Sequence, residues 1–124
     1  MMDQIQATII TIGDELLIGQ VIDTNSAYIA QKLNSIGVQV HQRIAVGDDA
    51  QSITNALDTA IEKSQIVIIT GGLGPTADDI TKPLLCDYFG GKMVMDQATL
   101  DHVTYIFKDI LKRPMIERNT LQAQ

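Results

Sequence analysis

Residues 66–79, IVIITGGLGPTADD, combine glycines and acidic side chains in an order that suits phosphate chemistry. The first five are apolar or β-branched and predict a strand that ends at Thr70 and is buried on both faces. The glycines that follow turn the backbone sharply, which allows main-chain N–H groups to approach an anion. Thr76, Asp78 and Asp79 then begin a predicted helix, and each is able to cap it. This order of strand, glycine loop and helix predicts an anion or nucleotide site at the carboxyl end of a parallel sheet.

The glycine loop, residues 71–75, matches neither GxxxxGK[ST] nor GxGxxG. Glycine-rich turns also occur in α/β folds without a ligand, so the local pattern leaves both interpretations open. Lys82 lies a turn into the predicted helix and is not placed to hold a terminal phosphate as a P-loop lysine does. Because carboxylates repel phosphate, Asp78 and Asp79 favour a site in which a divalent cation connects protein and phosphate.

Two further turns carry acidic residues directly after predicted strands. The apolar run over residues 7–12 predicts a strand, followed by a long loop over residues 13–25. Residues 38–46 predict a half-exposed strand, followed by a turn at Gly47 and Asp48. Because the carboxyl ends of parallel strands meet at one edge of a sheet, we expect the acidic residues of all three turns to lie near one another. These residues are Asp14, Glu15, Asp48, Asp78 and Asp79.

Hydrophobic residues at helical spacing predict four helices. They cover about residues 26–36, 50–63, 79–89 and 96–111. A short fourth strand is expected over residues 93–95. The first helix is predicted to be capped by Thr24 or Asn25, and the second by Asp48 or Asp49. The order β, α, β, α, β, α, β, α predicts an α/β fold, a three-layer αβα sandwich with a mostly parallel sheet.

Composition limits the functional classes. A chain of 124 residues with few aromatic residues is expected to form one domain around a core of aliphatic side chains. The net charge of −6 and the absence of a Lys/Arg cluster argue against nucleic acid as a partner. Neither a membrane-spanning run nor a secretory leader is apparent, so a soluble cytoplasmic protein is expected. Because no predicted strand follows Arg113, we expect the native fold to have a further C-terminal element.

Four segments together resemble the N-terminal domain of CinA (competence/damage-inducible) proteins. They are GDELLIGQVIDTNSAYIAQKL, VGDD, TGGLGPTADDIT and ERNTLQAQ, and they occur in this order along almost the whole chain. That domain is related to the molybdopterin-binding proteins MoaB and Mog and to a domain of MoeA. The resemblance implies a MoaB/Mog-like fold, a cytoplasmic location and self-association as trimers or dimers. The amidohydrolase domain that many CinA proteins carry is not found in this sequence.

The resemblance also implies which residues contribute to the ligand site. The TGGxGxxxxD pattern matches Thr70, Gly71, Gly72, Gly74 and Asp79, and Thr76 lies within it. The aspartate before the second helix of Mog-type domains matches Asp48. The GxELLxGxxxxTN pattern, which borders the pocket in CinA-type domains, matches Gly13, Glu15, Gly19, Thr24 and Asn25.

Three functions remain open at this point. The first is a metal-dependent pyrophosphatase acting on ADP-ribose or a related dinucleotide, with Mg²⁺, Mn²⁺ or Co²⁺ as cofactor and Asp48 or Asp79 as the base. Its cation would be held by carboxylates among Asp14, Glu15, Asp48 and Asp79. The second is a domain that binds molybdopterin or a nucleotide without hydrolysing it. The third is an oligomerising interaction module.

Overall fold

The computed structural model of the chain describes residues 4–124 and contains two compact units, Met1–Gly72 and Leu73–Gln124. The first unit holds a three-stranded sheet formed by β1 (Gln6–Ile12), β2 (Gln39–Val46) and β3 (Ile66–Thr70). The strand order is β2-β1-β3, and both pairings are parallel. The predicted α/β class and the parallel sheet are therefore confirmed.

Burial differs between the strands of this sheet. Residues 7–12 of β1 are all buried, and because successive side chains point to opposite faces, both faces of β1 are covered. The prediction that β3 is equally buried was wrong, since each of its residues is only half-buried. Within the described part of the chain, β3 lies at the end of the strand order, beside β1. An apolar run therefore identified the strand but not its position in the sheet.

Three helices lie in the described residues of the first unit: α1 (Asp14–Leu17), α2 (Thr24–Ser35) and α3 (Ala50–Lys63). Ile53, Ala56, Leu57 and Ala60 of α3 recur at helical spacing and are buried. α1 was not predicted, because residues 13–25 were interpreted as one loop. Asp14 and Glu15 occupy its first turn, where negative charge stabilises a helix N-terminus.

The N-cap of α3 allows a direct stability test. The Asp49 side chain accepts hydrogen bonds from the Ser52 N–H at 2.8 Å and the Ser52 hydroxyl at 2.7 Å. We expect Asp49→Ala to lower the free energy of unfolding by about 1 kcal/mol, because it leaves an N–H of the first turn without its partner. Glu62→Ala, at an exposed position of the same helix, is the control and should change that energy by less than about 0.5 kcal/mol. If urea denaturation showed equal losses of unfolding free energy in Asp49→Ala and Glu62→Ala, the role of Asp49 as a cap would be contradicted.

The second unit contains α4 (Thr81–Tyr88), α5 (Gln97–Tyr105), a π-helical turn (Ile106–Ile110) and a 3-10 helix (Glu117–Ala123). The fourth strand predicted over residues 93–95 is absent from the described structure: the Asp96 N–H donates to the Ala123 carbonyl at 2.8 Å, and Val94 is 65% exposed. α4 begins two residues later than predicted and has no side-chain cap. Within residues 4–124, no helix is long and apolar enough to cross a membrane.

Candidate functional site

A cavity of about 180 Å³ lies at the carboxyl ends of β1 and β3 in the first unit. It brings together five residues predicted from two separate segments: Glu15, Thr24, Asn25, Thr70 and Gly71. The other lining residues are Thr11, Ile12, Leu16, Val21, Ile22 and Asp23. The lining is therefore apolar in part and rich in hydroxyl, amide and carboxylate groups elsewhere. A mixed lining of this kind can bind a small molecule that has both apolar and polar groups.

Gly71 forms a close contact in the wall of this cavity. Its φ is +94°, in the region that favours glycine, and an added Cβ would overlap the carbonyl oxygen of Ile12. The end of β3 therefore passes directly against the end of β1, and only a residue without a side chain fits there. Gly72, the next predicted residue, also has a positive φ, of 64°.

Two other glycines leave room for carboxylates of α1. An added Cβ at Gly13 would lie 2.5 Å from Glu15 Oε1, and one at Gly47 would lie 2.5 Å from Asp14 Oδ1. Both glycines are buried and directly follow strands of the sheet. The carboxylates of Asp14 and Glu15 thus lie close to the strand ends, and both residues are exposed to solvent.

Asp14 and Asp48 meet at the ends of β1 and β2. The Asp48 N–H donates to Asp14 Oδ1 at 3.0 Å, and the Asp14 N–H faces Asp48 Oδ2 at a longer 3.5 Å. Asp49, not Asp48, caps α3, so the Asp48 carboxylate is not used as a helix cap. Each carboxylate thus faces the main-chain N–H of the other residue, and the two aspartates lie side by side after β1 and β2.

A larger preformed ligand set is not present in the part of the chain that the structure describes. No group of three or more His, Cys, Asp or Glu side chains in residues 4–124 is arranged to hold a metal ion. Among the predicted metal ligands Asp14, Glu15, Asp48 and Asp79, the described hydrogen bonds join two, Asp14 and Asp48. A cation there would need oxygen ligands from a bound phosphate to complete its coordination.

Asp79, in the second unit, interacts with its own loop. Its Oδ2 accepts hydrogen bonds from the Thr76 hydroxyl at 2.6 Å and the Thr76 N–H at 3.1 Å. The Thr76 hydroxyl, followed by the Thr76 and Gly74 N–H groups, holds the pKa of the Asp79 carboxyl below its usual value. The prediction that Thr76, Asp78 or Asp79 caps α4 was therefore wrong. The lowered pKa also makes Asp79 a weaker proton acceptor.

The loop around Asp79 lines a second, smaller cavity of about 110 Å³, together with Gly74, Thr76 and Lys82. The Lys82 ammonium donates to the carbonyl oxygens of Leu121 and Gln124, at 3.1 Å each. Lys82 therefore connects α4 to the 3-10 helix, in agreement with the expectation that it is not a P-loop lysine.

Sequence reasoning missed a hydrogen-bonded group at the start of α2. Asp23, rather than Thr24 or Asn25, is the N-cap and accepts from the Ser26 N–H at 3.0 Å. Asp23 also accepts from the Thr11 hydroxyl at 2.9 Å, and Arg43 approaches Ser26 at 2.8 Å. The available signal was the spacing of Asp23 and Ser26, which is that of an N-cap and the N–H it binds. Nothing in the sequence pattern indicated Thr11 or Arg43.

The Asp23 carboxyl titrates below its ordinary value. Burial alone would raise its pKa, but hydrogen bonds from the Ser26 side chain and backbone, then from Thr11, and the charge of Arg43 together lower it. A lowered folded-state pKa contributes stability that is complete above the ordinary value of 3.8 and is lost as the pH falls through the folded value.

We therefore expect the thermal midpoint of the wild-type protein to fall as the pH drops below about 4. In Asp23→Asn the fall should be shallower, because position 23 no longer titrates. Asp87→Asn, at an exposed position of α4, serves as the control and should retain the wild-type slope. Identical slopes for wild type and Asp23→Asn in scans from about pH 2 to 6 would contradict this assignment.

Known proteins share both the sequence pattern and the fold. Residues 8–123 match a family model described as "Probable molybdopterin binding domain". A CinA-like protein of Flavobacterium psychrophilum is 51% identical over 118 residues, which cover 95% of this chain and 28% of that protein. The chain thus spans little more than a quarter of that relative's length.

Solved structures agree with the architecture. The crystal structure of CinA from Thermoplasma acidophilum, described as having unknown function, matches this chain with a TM-score of 0.76 and 33% sequence identity. The alignment covers 94% of this chain and 67% of the Thermoplasma chain. MoaB from Pyrococcus furiosus, a tungsten cofactor synthesizing protein, matches with a TM-score of 0.64 and 21% sequence identity. That alignment covers 89% of this chain and 67% of the MoaB chain. The second similarity shows that the fold is MoaB-like.

Proposed function

Because this chain belongs to the molybdopterin-binding domain family and matches CinA proteins within it, we propose that it is a divalent-metal-dependent pyrophosphatase for ADP-ribose or a related dinucleotide diphosphate. The observation that carries the proposal is the contact between Asp14 and Asp48, with Glu15 of the cavity lining next in sequence. This arrangement provides an acidic group for a cation in the same unit as a cavity for a heterocycle.

Each part of the first unit has a distinct role in this proposal. The cavity binds the base and ribose, with apolar side chains such as Ile12 and Val21 against the ring and Asn25 as a hydrogen-bonding partner. Asp14 and Asp48 would hold Mg²⁺, Mn²⁺ or Co²⁺. A divalent cation held there would supply positive charge to offset the phosphate charge and to lower the pKa of a water molecule. Asp48 is preferred over Asp79 as the base, because Asp79 is held by Thr76 and has a lowered pKa.

A second candidate is non-hydrolytic binding of molybdopterin or a nucleotide. It is favoured by the contacts of Asp79, whose carboxylate accepts hydrogen bonds from the Thr76 hydroxyl and N–H within the TGGxGxxxxD pattern. In that case the same cavity would bind a pterin ring. For either function we propose a cytoplasmic location and self-association as a trimer or dimer. Light scattering on the purified protein measures the latter.

The test is a screen of purified protein against ADP-ribose, FAD and NAD with Mg²⁺, Mn²⁺ or Co²⁺, with AMP release as the readout. Pyrophosphatase activity predicts AMP from at least one substrate, lost in excess EDTA. No AMP, combined with a raised thermal midpoint in the presence of a nucleotide or pterin, would favour the binding function instead. No AMP and no shift would contradict both.

A further inference from the structure

A hydrogen-bond network around the buried Ser26 side chain connects the exposed Arg43 of β2 to the cavity of the first unit. Arg43 Nε and Nη2 both donate to the Ser26 hydroxyl oxygen, at 3.1 and 2.8 Å. Ser26 is fully buried, and its hydroxyl donates to Asp23 Oδ2 at 2.5 Å. Because a hydroxyl has a single proton, the order is determined: Arg43 donates to Ser26, and Ser26 donates to Asp23.

The Asp23 carboxylate in turn joins two segments of the cavity wall. Its Oδ2 accepts from the Thr11 hydroxyl at 2.9 Å, and its Oδ1 accepts from the Ser26 N–H at 3.0 Å. Thr11 lies near the end of β1, whereas Thr24 and Asn25 begin α2, and all of them line the cavity. A rotation of Asp23 would therefore disturb the wall on both sides.

We propose that Arg43 is a positioning residue for this cavity: through the Ser26 hydroxyl it orients Asp23 and thereby holds Thr24 and Asn25 in the wall. The cavity lining itself does not include Arg43, so the effect is indirect. The guanidinium places two donors on one oxygen, which a lysine ammonium on a flexible chain does not reproduce. The kinetic part of this inference rests on the proposed function, whereas the structural part is independent of it.

The structural part is tested by amide hydrogen exchange at residues 24–26 in the full chain. Arg43→Met should accelerate exchange of these amides by about tenfold, because the Asp23 carboxylate loses its orientation. Arg113→Met removes the same charge in the second unit and should change none of them. In a Ser26→Ala background, Arg43→Met should have no further effect. Unchanged exchange, or full additivity of the two substitutions, would overturn the proposal.

Arg43→Lys gives a second route in case Arg43→Met does not fold. It keeps the charge on β2 but loses the paired donors, so exchange at residues 24–26 should lie between wild type and Arg43→Met. Exchange rates equal to those of wild type would show that the positive charge alone is sufficient and would overturn the role of the paired guanidinium donors.

The kinetic part is tested on the AMP-releasing reaction. Arg43→Met should raise KM by about tenfold with kcat changed less than about threefold, because the wall is loosened while Asp14 and Asp48 are untouched. A fall in kcat at constant KM, or faster exchange with unchanged KM, would overturn a positioning role. If wild-type protein releases no AMP, the proposed function fails, and the exchange measurement still decides whether Arg43 orients the wall.

Discussion

Asp48→Asn should reduce metal-dependent AMP release by about 100-fold or more while leaving the thermal midpoint close to that of wild type. Asp48 lies beside Asp14, and its carboxylate takes no part in capping α3. Asn is almost the same size and retains one oxygen, so the main-chain hydrogen bond at this turn survives. The loss would therefore report the missing negative charge and proton acceptor rather than a change in fold.

The neighbouring residue provides a matched control. Asp49→Asn removes the same charge one position along the chain, and Asn is as good an N-cap as Asp. We expect this variant to keep activity within about threefold of wild type and to unfold at a similar temperature. Equal losses of activity in the two variants would show that net charge near α3, rather than the Asp48 side chain, supports turnover. Full activity in Asp48→Asn would reject Asp48 as a catalytic residue.

The strands and helices of the first unit could be predicted because their signals are local. The apolar run before the glycines is too short for a buried helix and is rich in β-branched residues, so β3 was predicted at its observed bounds. Its half-burial could not be predicted, because burial depends on which strand lies beside it. α1 was missed for a different reason: a single helical turn has no hydrophobic period that a pattern could detect.

The candidate site was predictable only in part. Residues that follow parallel strands must approach one another, which is why Glu15, Asn25 and Gly71 could be placed in one cavity. The bonding partners of individual carboxylates were not predictable. An aspartate near a helix start forms local hydrogen bonds of similar strength either to the helix or to its own loop, and Asp79 does the latter. Arg43 reaches Ser26 through tertiary packing alone, for which the sequence has no periodic signal.

Gly71→Ala should be the most destabilising small substitution in the glycine loop, with a loss of about 3 to 5 kcal/mol in the free energy of unfolding. Two costs combine at this position. The φ of +94° is unfavourable for any L side chain, and the added methyl would overlap the carbonyl oxygen of Ile12. Ile12 is only 2% exposed and belongs to β1, the central strand of the described sheet, so its backbone has little freedom to move away.

Gly37→Ala separates the two costs. Gly37 has a φ of +83°, but an added Cβ there would meet no atom within 4 Å. This variant should lose only about 1 kcal/mol, the cost of the backbone conformation alone. The difference between the two variants in urea denaturation then measures the contact between the ends of β3 and β1. If Gly71→Ala loses no more than Gly37→Ala, the strand ends are not in close contact, and the cavity that Ile12 and Gly71 both line would not have the shape described above.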